Sequence, residues 1–203
     1  MDKPNYSKTI KPPRPKNGRS GFTLLEIIVS VSLFVIIIIL VSDIYLAVQR
    51  AYNKNSDLAE LTQNTRVSLD RMSRELRQSS NIITELPENG GDPENPPTDQ
   101  IFFQDGHDIS QITYIRYYLD GPNLMRENKA YYFEEEPETY VTYDSADQSG
   151  NPPLEQIIDN RIVGEYFDLM EFWGADGLIN IALSLGKNQN NFSVKTSIFS
   201  RNR

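Results

Sequence analysis

The chain has no cysteine, one histidine and one tryptophan in 203 residues. Without cysteine there is no disulfide and no thiolate chemistry, so the fold must be held by its own core. The single histidine, His107, sits in Gln104-Asp105-Gly106-His107-Asp108, a turn-like segment between aspartates, and reads as a surface residue. No Cys/His cluster has zinc spacing, and no glycine-rich phosphate loop is present. Asp92, Glu94 and Asp99 share a proline-rich stretch but match no calcium-loop spacing. No metal, no cofactor, no catalytic constellation and therefore no enzyme is expected. Two further absences are local. There is no charge from Ile27 to Ser42, and no glycine or proline from Asp43 to Ser79.

What precedes the uncharged run is basic. The first 21 residues hold Lys3, Lys8, Lys11, Arg14, Lys16 and Arg19 against Asp2, a net of +5. Subtracting that from the formal −8 leaves −13 for the remainder. A basic flank beside an apolar segment predicts a cytoplasmic N-terminus and an exported C-terminal part. An acidic exported part carries no nucleic-acid footprint. Phe22 to Val48 is 27 residues, enough to cross a hydrocarbon core roughly 30 Å thick with tilt. A secretory signal peptide would need small residues in an Ala-x-Ala pattern after the apolar run. Tyr45-Leu46-Ala47 fits that badly, so a retained membrane segment is expected.

Glu26 is the carboxylate one turn inside this segment, ahead of the uncharged run that ends before Asp43. An acidic residue at the centre of a membrane helix costs about 2.5–3.5 kcal/mol. Glu26 lies one turn from the start, where the cost is lower. Two readings follow: a shallow interfacial glutamate, or one that awaits a positive partner.

Beyond the apolar run, Leu58, Leu61, Thr65, Leu69, Met72 and Leu76 follow steps of three and four, one face of a helix. Asp70 with Arg74 and Arg71 with Glu75 are expected i,i+4 ion pairs. One helix from about Phe22 to about Ser79 is expected, apolar all round in its first half and amphipathic in its second. Arg66, Arg71, Arg74 and Arg77 crowd the second half; they read as a solvated face, with a partner-binding patch as the alternative.

Leu86 to Gln100, with four prolines and adjacent Gly90 and Gly91, is a loop between the helix and a β-rich region. Ile101–Phe103 and Ile112–Leu119 read as strands, Asp120–Asn123 as a turn and Leu124–Glu127 as the returning strand. Glu134 to Pro153 reads as an acidic excursion with a short strand at Thr139–Tyr143. Arg161 to Trp173 reads as one irregular strand with Ile162, Phe167, Leu169 and Phe172 inward. Leu178–Leu185 and Phe192–Phe199 complete the sheet. Tyr114, Tyr117, Tyr118 and Trp173 are expected in or beside the core. Helix first, then antiparallel strands, is an α+β arrangement.

Gly21-Phe22-Thr23-Leu24-Leu25-Glu26, set between a basic leader and a long apolar helix, resembles the type IV prepilin cleavage and methylation motif. Met72–Gln78, Ile115–Gly121 with Leu124–Arg126, and the ending Ser200-Arg201-Asn202 are more weakly similar to minor pilins and pseudopilins. Length and layout are most similar to J-class minor pseudopilins of type II secretion and W-type minor pilins of type IV pili. The resemblance implies a pilin-like fold, with the long helix packed on an antiparallel sheet. It also implies a division into a leader (1–21), a transmembrane helix (22–48), its amphipathic continuation (49–79) and an exported β-rich domain (80–203). A prepilin peptidase/methyltransferase would cut between Gly21 and Phe22 and methylate the Phe22 amine. Glu26 would face that amine on a neighbouring pilin or pseudopilin subunit. The chain would sit in the inner membrane, single-pass, with its domain periplasmic or extracellular, and then enter a pilus or pseudopilus. The alternative is an independent membrane-anchored exported binding domain, a sensor or adhesin, which would need neither the Gly21–Phe22 junction nor Glu26.

Overall fold

A computed structural model describes residues 21–107 and 111–200. The basic leader up to Ser20, Asp108 beside the histidine, and Arg201-Asn202 of the chain's ending lie outside the described residues. One helix, α1, runs over Leu24–Gln78. The chain divides into two compact units between Gln49 and Arg50.

The described residues of the first unit, 21–49, are helical from Leu24 and expose their apolar side chains on every face; none of the 18-residue window that marks the span, of mean hydropathy 3.2, is buried. Leu24 to Ser42 alone spans about 28 Å at 1.5 Å per residue. Ser30, Ser32 and Ser42 donate their hydroxyls to the carbonyls of Glu26, Ile28 and Ile38 at 2.7–2.8 Å. Their polar groups are thus satisfied within the helix, as lipid requires.

The second unit is α+β, with the end of α1 followed by two antiparallel sheets. In the first sheet β1 (Asn81–Ile82), β2 (Ile101–Gln104), β3 (Thr113–Asp120) and β4 (Asn123–Phe133) pair in sequence. Ala130 of β4 pairs with both Thr113 of β3 and Gln156 of β6 (Leu154–Gly164). Tyr131 pairs with both Glu155 and Val141 of β5 (Glu136–Val141). So β3 and β5 follow one another along one edge of β4, and β6 fills the other. The second sheet is β7 (Phe167–Trp173), β8 (Leu178–Lys187) and β9 (Asn190–Phe199) in that order.

One core joins the helix to both sheets: Leu61, Met72 and Leu76 of α1 cluster with Phe103 and Tyr117 of the first sheet and Phe172, Ile181 and Leu183 of the second. The three-and-four spacing of the helix thus selects its buried face, with Thr65 and Ser68 included. Ser68 is buried because β6 passes close by: it lies 3.4 Å from the Val163 carbonyl. Gly164 is needed there, since a Cβ would stand 2.6 Å from both Ser68 Oγ and the Phe167 ring.

Several expectations need correction. Arg161 to Trp173 is not one strand. β6 ends at Gly164 in the first sheet, Tyr166 turns the chain at φ 70°, and β7 begins in the second sheet. Within β7 a bulge between Phe167 and Leu169 shifts the alternation, so Phe167, Met170 and Phe172 are buried while Leu169 is exposed; Ile162, on β6 in the other sheet, is exposed as well. The returning strand runs on to Phe133, and the short strand of the acidic excursion sits at Glu136–Val141, three residues earlier than expected at its start. The Leu86–Gln100 segment holds no strand beyond a bridge from Thr98 to Phe172, but β1 precedes it. Of the two expected helix ion pairs, Asp70–Arg74 forms at 3.2 Å. Arg71–Glu75 does not, because Glu75 points at the sheet instead.

Candidate functional site

The residues singled out in the sequence fall at the start of α1. Gly21, Phe22 and Thr23 precede the helix, and Phe22 is 79% exposed. A Cβ placed on Gly21 would meet nothing within 4 Å. The fold itself therefore makes no demand for glycine at this position.

Thr23 caps the helix: its Oγ1 accepts from the Glu26 amide at 3.3 Å, and its carbonyl accepts from the Ile27 amide at 3.2 Å. Thr23-Leu24-Leu25-Glu26 is thus a capping-box sequence, with threonine at the cap and glutamate three residues later. The Thr-x-x-Glu pattern, not among the sequence expectations above, is the signal that announces this cap. A carboxylate in the first turn also complements the positive end of the helix dipole. Among the described residues the Glu26 carboxylate has neither ion pair nor hydrogen-bond partner.

In the second unit, the ionic groups are tied to the fold. Tyr117 donates to Glu75 Oε2 at 2.6 Å, and Arg126 Nε donates to both Glu75 oxygens at 3.1 Å. Burial pushes the Tyr117 hydroxyl well above its usual range, and the Glu75 charge adds to it. Burial disfavours the Arg126 cation, but the Glu75 bond and charge outweigh it and hold the guanidinium above its usual value. Near the start of this unit Lys187 of β8 binds Glu60, while Asn188 donates to Asp57 at 2.8 Å. Glu60 is held below the ordinary carboxylate range, chiefly by that lysine bond. These pairs staple strands to the helix.

The remaining candidates are ordinary surface and core. His107 is exposed, and its amide donates to Asp105 Oδ1 at 3.0 Å. Asp92 Oδ1 accepts from the Glu94 amide at 2.9 Å, a local turn. No group of acidic or histidine side chains among the described residues is arranged for a metal ion. Tyr114 and Tyr117 are buried, and Tyr118 and Trp173 half-buried. Arg66, Arg74 and Arg77 are exposed, and Arg71 is half-buried.

A long N-terminal apolar helix followed by antiparallel sheets is an α+β, pilin-like layout. Residues 16–42 match the family model of the prokaryotic N-terminal methylation motif, which supports a type IV pilin-like protein. That motif belongs to prepilin-type chains, which are processed by a peptidase and assembled into pili; they are structural subunits. Together with the apolar helix it supports a membrane-anchored pilin. No curated protein and no solved structure matches the chain.

Proposed function

We propose that this chain is a minor pilin-like structural subunit of a type IV pilus or a type II secretion pseudopilus. It inserts in the inner membrane with its N-terminus cytoplasmic and its acidic domain on the far side. A prepilin peptidase removes the leader between Gly21 and Phe22 and methylates the new Phe22 amine. The observation that carries this reading is the methylation motif over residues 16–42 leading directly into an apolar helix. A glycine at position 21 that the fold does not require fits a cleavage enzyme with no room for a side chain.

The physical role of Glu26 follows from its setting. A carboxylate within a membrane helix seeks a cation, and cleavage creates one four residues away on every processed chain. The Phe22 amine of a neighbouring subunit would satisfy it and fix the axial stagger between two helices. Co-expression with a prepilin peptidase tests the reading. Intact mass should show loss of the 21-residue leader and one added methyl group on Phe22. A chain left uncleaved by a matched peptidase would overturn it.

A further inference from the structure

The domain carries a groove that none of these roles uses. It lies between Leu69, Ser73, Arg74 and Arg77 of α1 and Thr196 and Phe199 at the end of β9, with a volume of about 960 Å³. Phe199 is 66% exposed and gives the groove an apolar patch. Its helix side carries Arg74 and Arg77 against Asp70, a net positive charge. Arg77 makes no ion pair among the described residues, and neither does Arg66, which precedes Asp70 by one helical turn on the same stripe. Arg74 is engaged only by Asp70, and both are exposed. Among the described residues β9 pairs with β8 alone, so its other edge has no strand partner. An apolar patch, a cationic rim and an open strand edge suit an extended acidic segment led by an apolar residue.

This chain carries such a segment. The turn from β4 into β5 reads Phe133-Glu134-Glu135-Glu136-Pro137-Glu138. All four glutamates are exposed, and none makes an ion pair among the described residues. Arg126 of β4 lies beside Glu75, within the helix stretch that lines the groove, and Phe133 is seven residues further on, about 23 Å along the strand. Tip and groove are different surfaces of one molecule, so a contact between them is head-to-tail and can propagate.

We propose that the β4–β5 tip of one copy docks in the α1–β9 groove of a second copy. This builds on the assembly reading and gives the exported domain a contact separate from the membrane helix. Single exposed ion pairs are weak, but several converging within a Debye length of about 8 Å add, and they weaken with salt.

The absence of cysteine makes the test direct. Full-length Ser73→Cys and Glu135→Cys variants, each with one thiol, are oxidised separately and mixed in detergent micelles. The mixture should give at least fivefold more cross-linked dimer than either variant alone, or than Ser73→Cys mixed with Ser149→Cys. Sodium chloride at about 1 M should suppress it. Reversing Glu134, Glu136 and Glu138 to lysine on the tip partner should abolish it, and adding Arg74→Glu and Arg77→Glu on the groove partner should restore it. Circular dichroism of each variant confirms the fold. Equal cross-linking by Ser73→Cys alone would mean groove meets groove, and would overturn the proposal. So would a yield no higher than the Ser149→Cys control, or one indifferent to charge reversal. Leader cleavage, read by mass on the same chains, would stand untouched by any of these failures.

Discussion

Arg126 of β4 holds both carboxylate oxygens of Glu75 at 3.1 Å from a single nitrogen, although 51 residues separate them. The arginine side chain is 9% exposed, and its only other acidic neighbour among the described residues, Asp159, stands at 4.0 Å. Removing one member of such a pair leaves the other buried and uncompensated, which costs about 3–5 kcal/mol. Glu75→Ala should therefore destabilise the domain by about 3 kcal/mol, the lower end, because Asp159 retains part of the attraction. Pairing it with Arg126→Met should recover most of the loss. Urea unfolding of the full chain in detergent, followed by circular dichroism, measures both.

Tyr117 shares the same carboxylate and is fully buried, so its proton is held more tightly in the folded chain than in the unfolded one. A raised folded-state value means the contribution is complete below about pH 10, where the unfolded tyrosine ionises, and declines as pH rises above it. Tyr131 adds to this: burial and the nearby Glu155 push it up to about 12. Stability should fall steadily above about pH 10. Tyr117→Phe should cost about 1–2 kcal/mol at neutral pH and flatten that alkaline decline. Unfolding midpoints from pH 8 to 11.5 decide the matter; an unchanged slope would count against it.

Glu75 also shows what the sequence could convey. The spacing Leu61, Thr65, Met72, Leu76 announces a helix and its buried face, because helical periodicity is local. By the same local logic Arg71 and Glu75 should pair. The structure gives Glu75 to Tyr117 and Arg126 instead, since a half-buried carboxylate takes the partners the sheet brings, and sheet register is not encoded nearby. Tyr166 is the other failure. Its φ of 70° ends one sheet and begins the next; Gly164 just before it hints at a turn, but a tyrosine is an unexpected residue to take the positive φ. Leu169 then faces out because a bulge after Phe167 shifts the alternation of β7, an irregularity whose exact position no local pattern marks. The start of the helix is legible through its glycine, phenylalanine and glutamate, and the Thr23 cap through the Thr-x-x-Glu pattern that accompanies them.

Gly164 tests the closeness of helix and sheet. A methyl group there would overlap Ser68 Oγ and the Phe167 ring, each at 2.6 Å. Ser68 and Phe167 are both buried, so neither can swing aside freely. Gly164→Ala should cost about 2–3 kcal/mol, in the range of other overpacking changes. Gly91→Ala, where an added Cβ meets nothing within 4 Å, should change stability by no more than about 0.5 kcal/mol. Comparable losses in the two variants would show that the helix and β6 can separate without penalty.

Glu26 has two readings that one substitution separates. As the residue that Thr23 caps it needs no charge, because the Thr23 hydroxyl takes its backbone amide, which glutamine supplies as well as glutamate. As the partner of a methylated Phe22 amine on a neighbouring subunit it needs its charge. Glu26→Gln should leave membrane insertion and leader removal intact. It should lower recovery in sheared or pelleted assemblies at least tenfold, because the neighbour's cation is then left unpaired in low dielectric. Thr23→Ala should do the reverse: it should fray the first turn at a cost of about 1 kcal/mol while preserving assembly. Normal assembly of Glu26→Gln would reduce the glutamate to a helix cap and remove its role in registry.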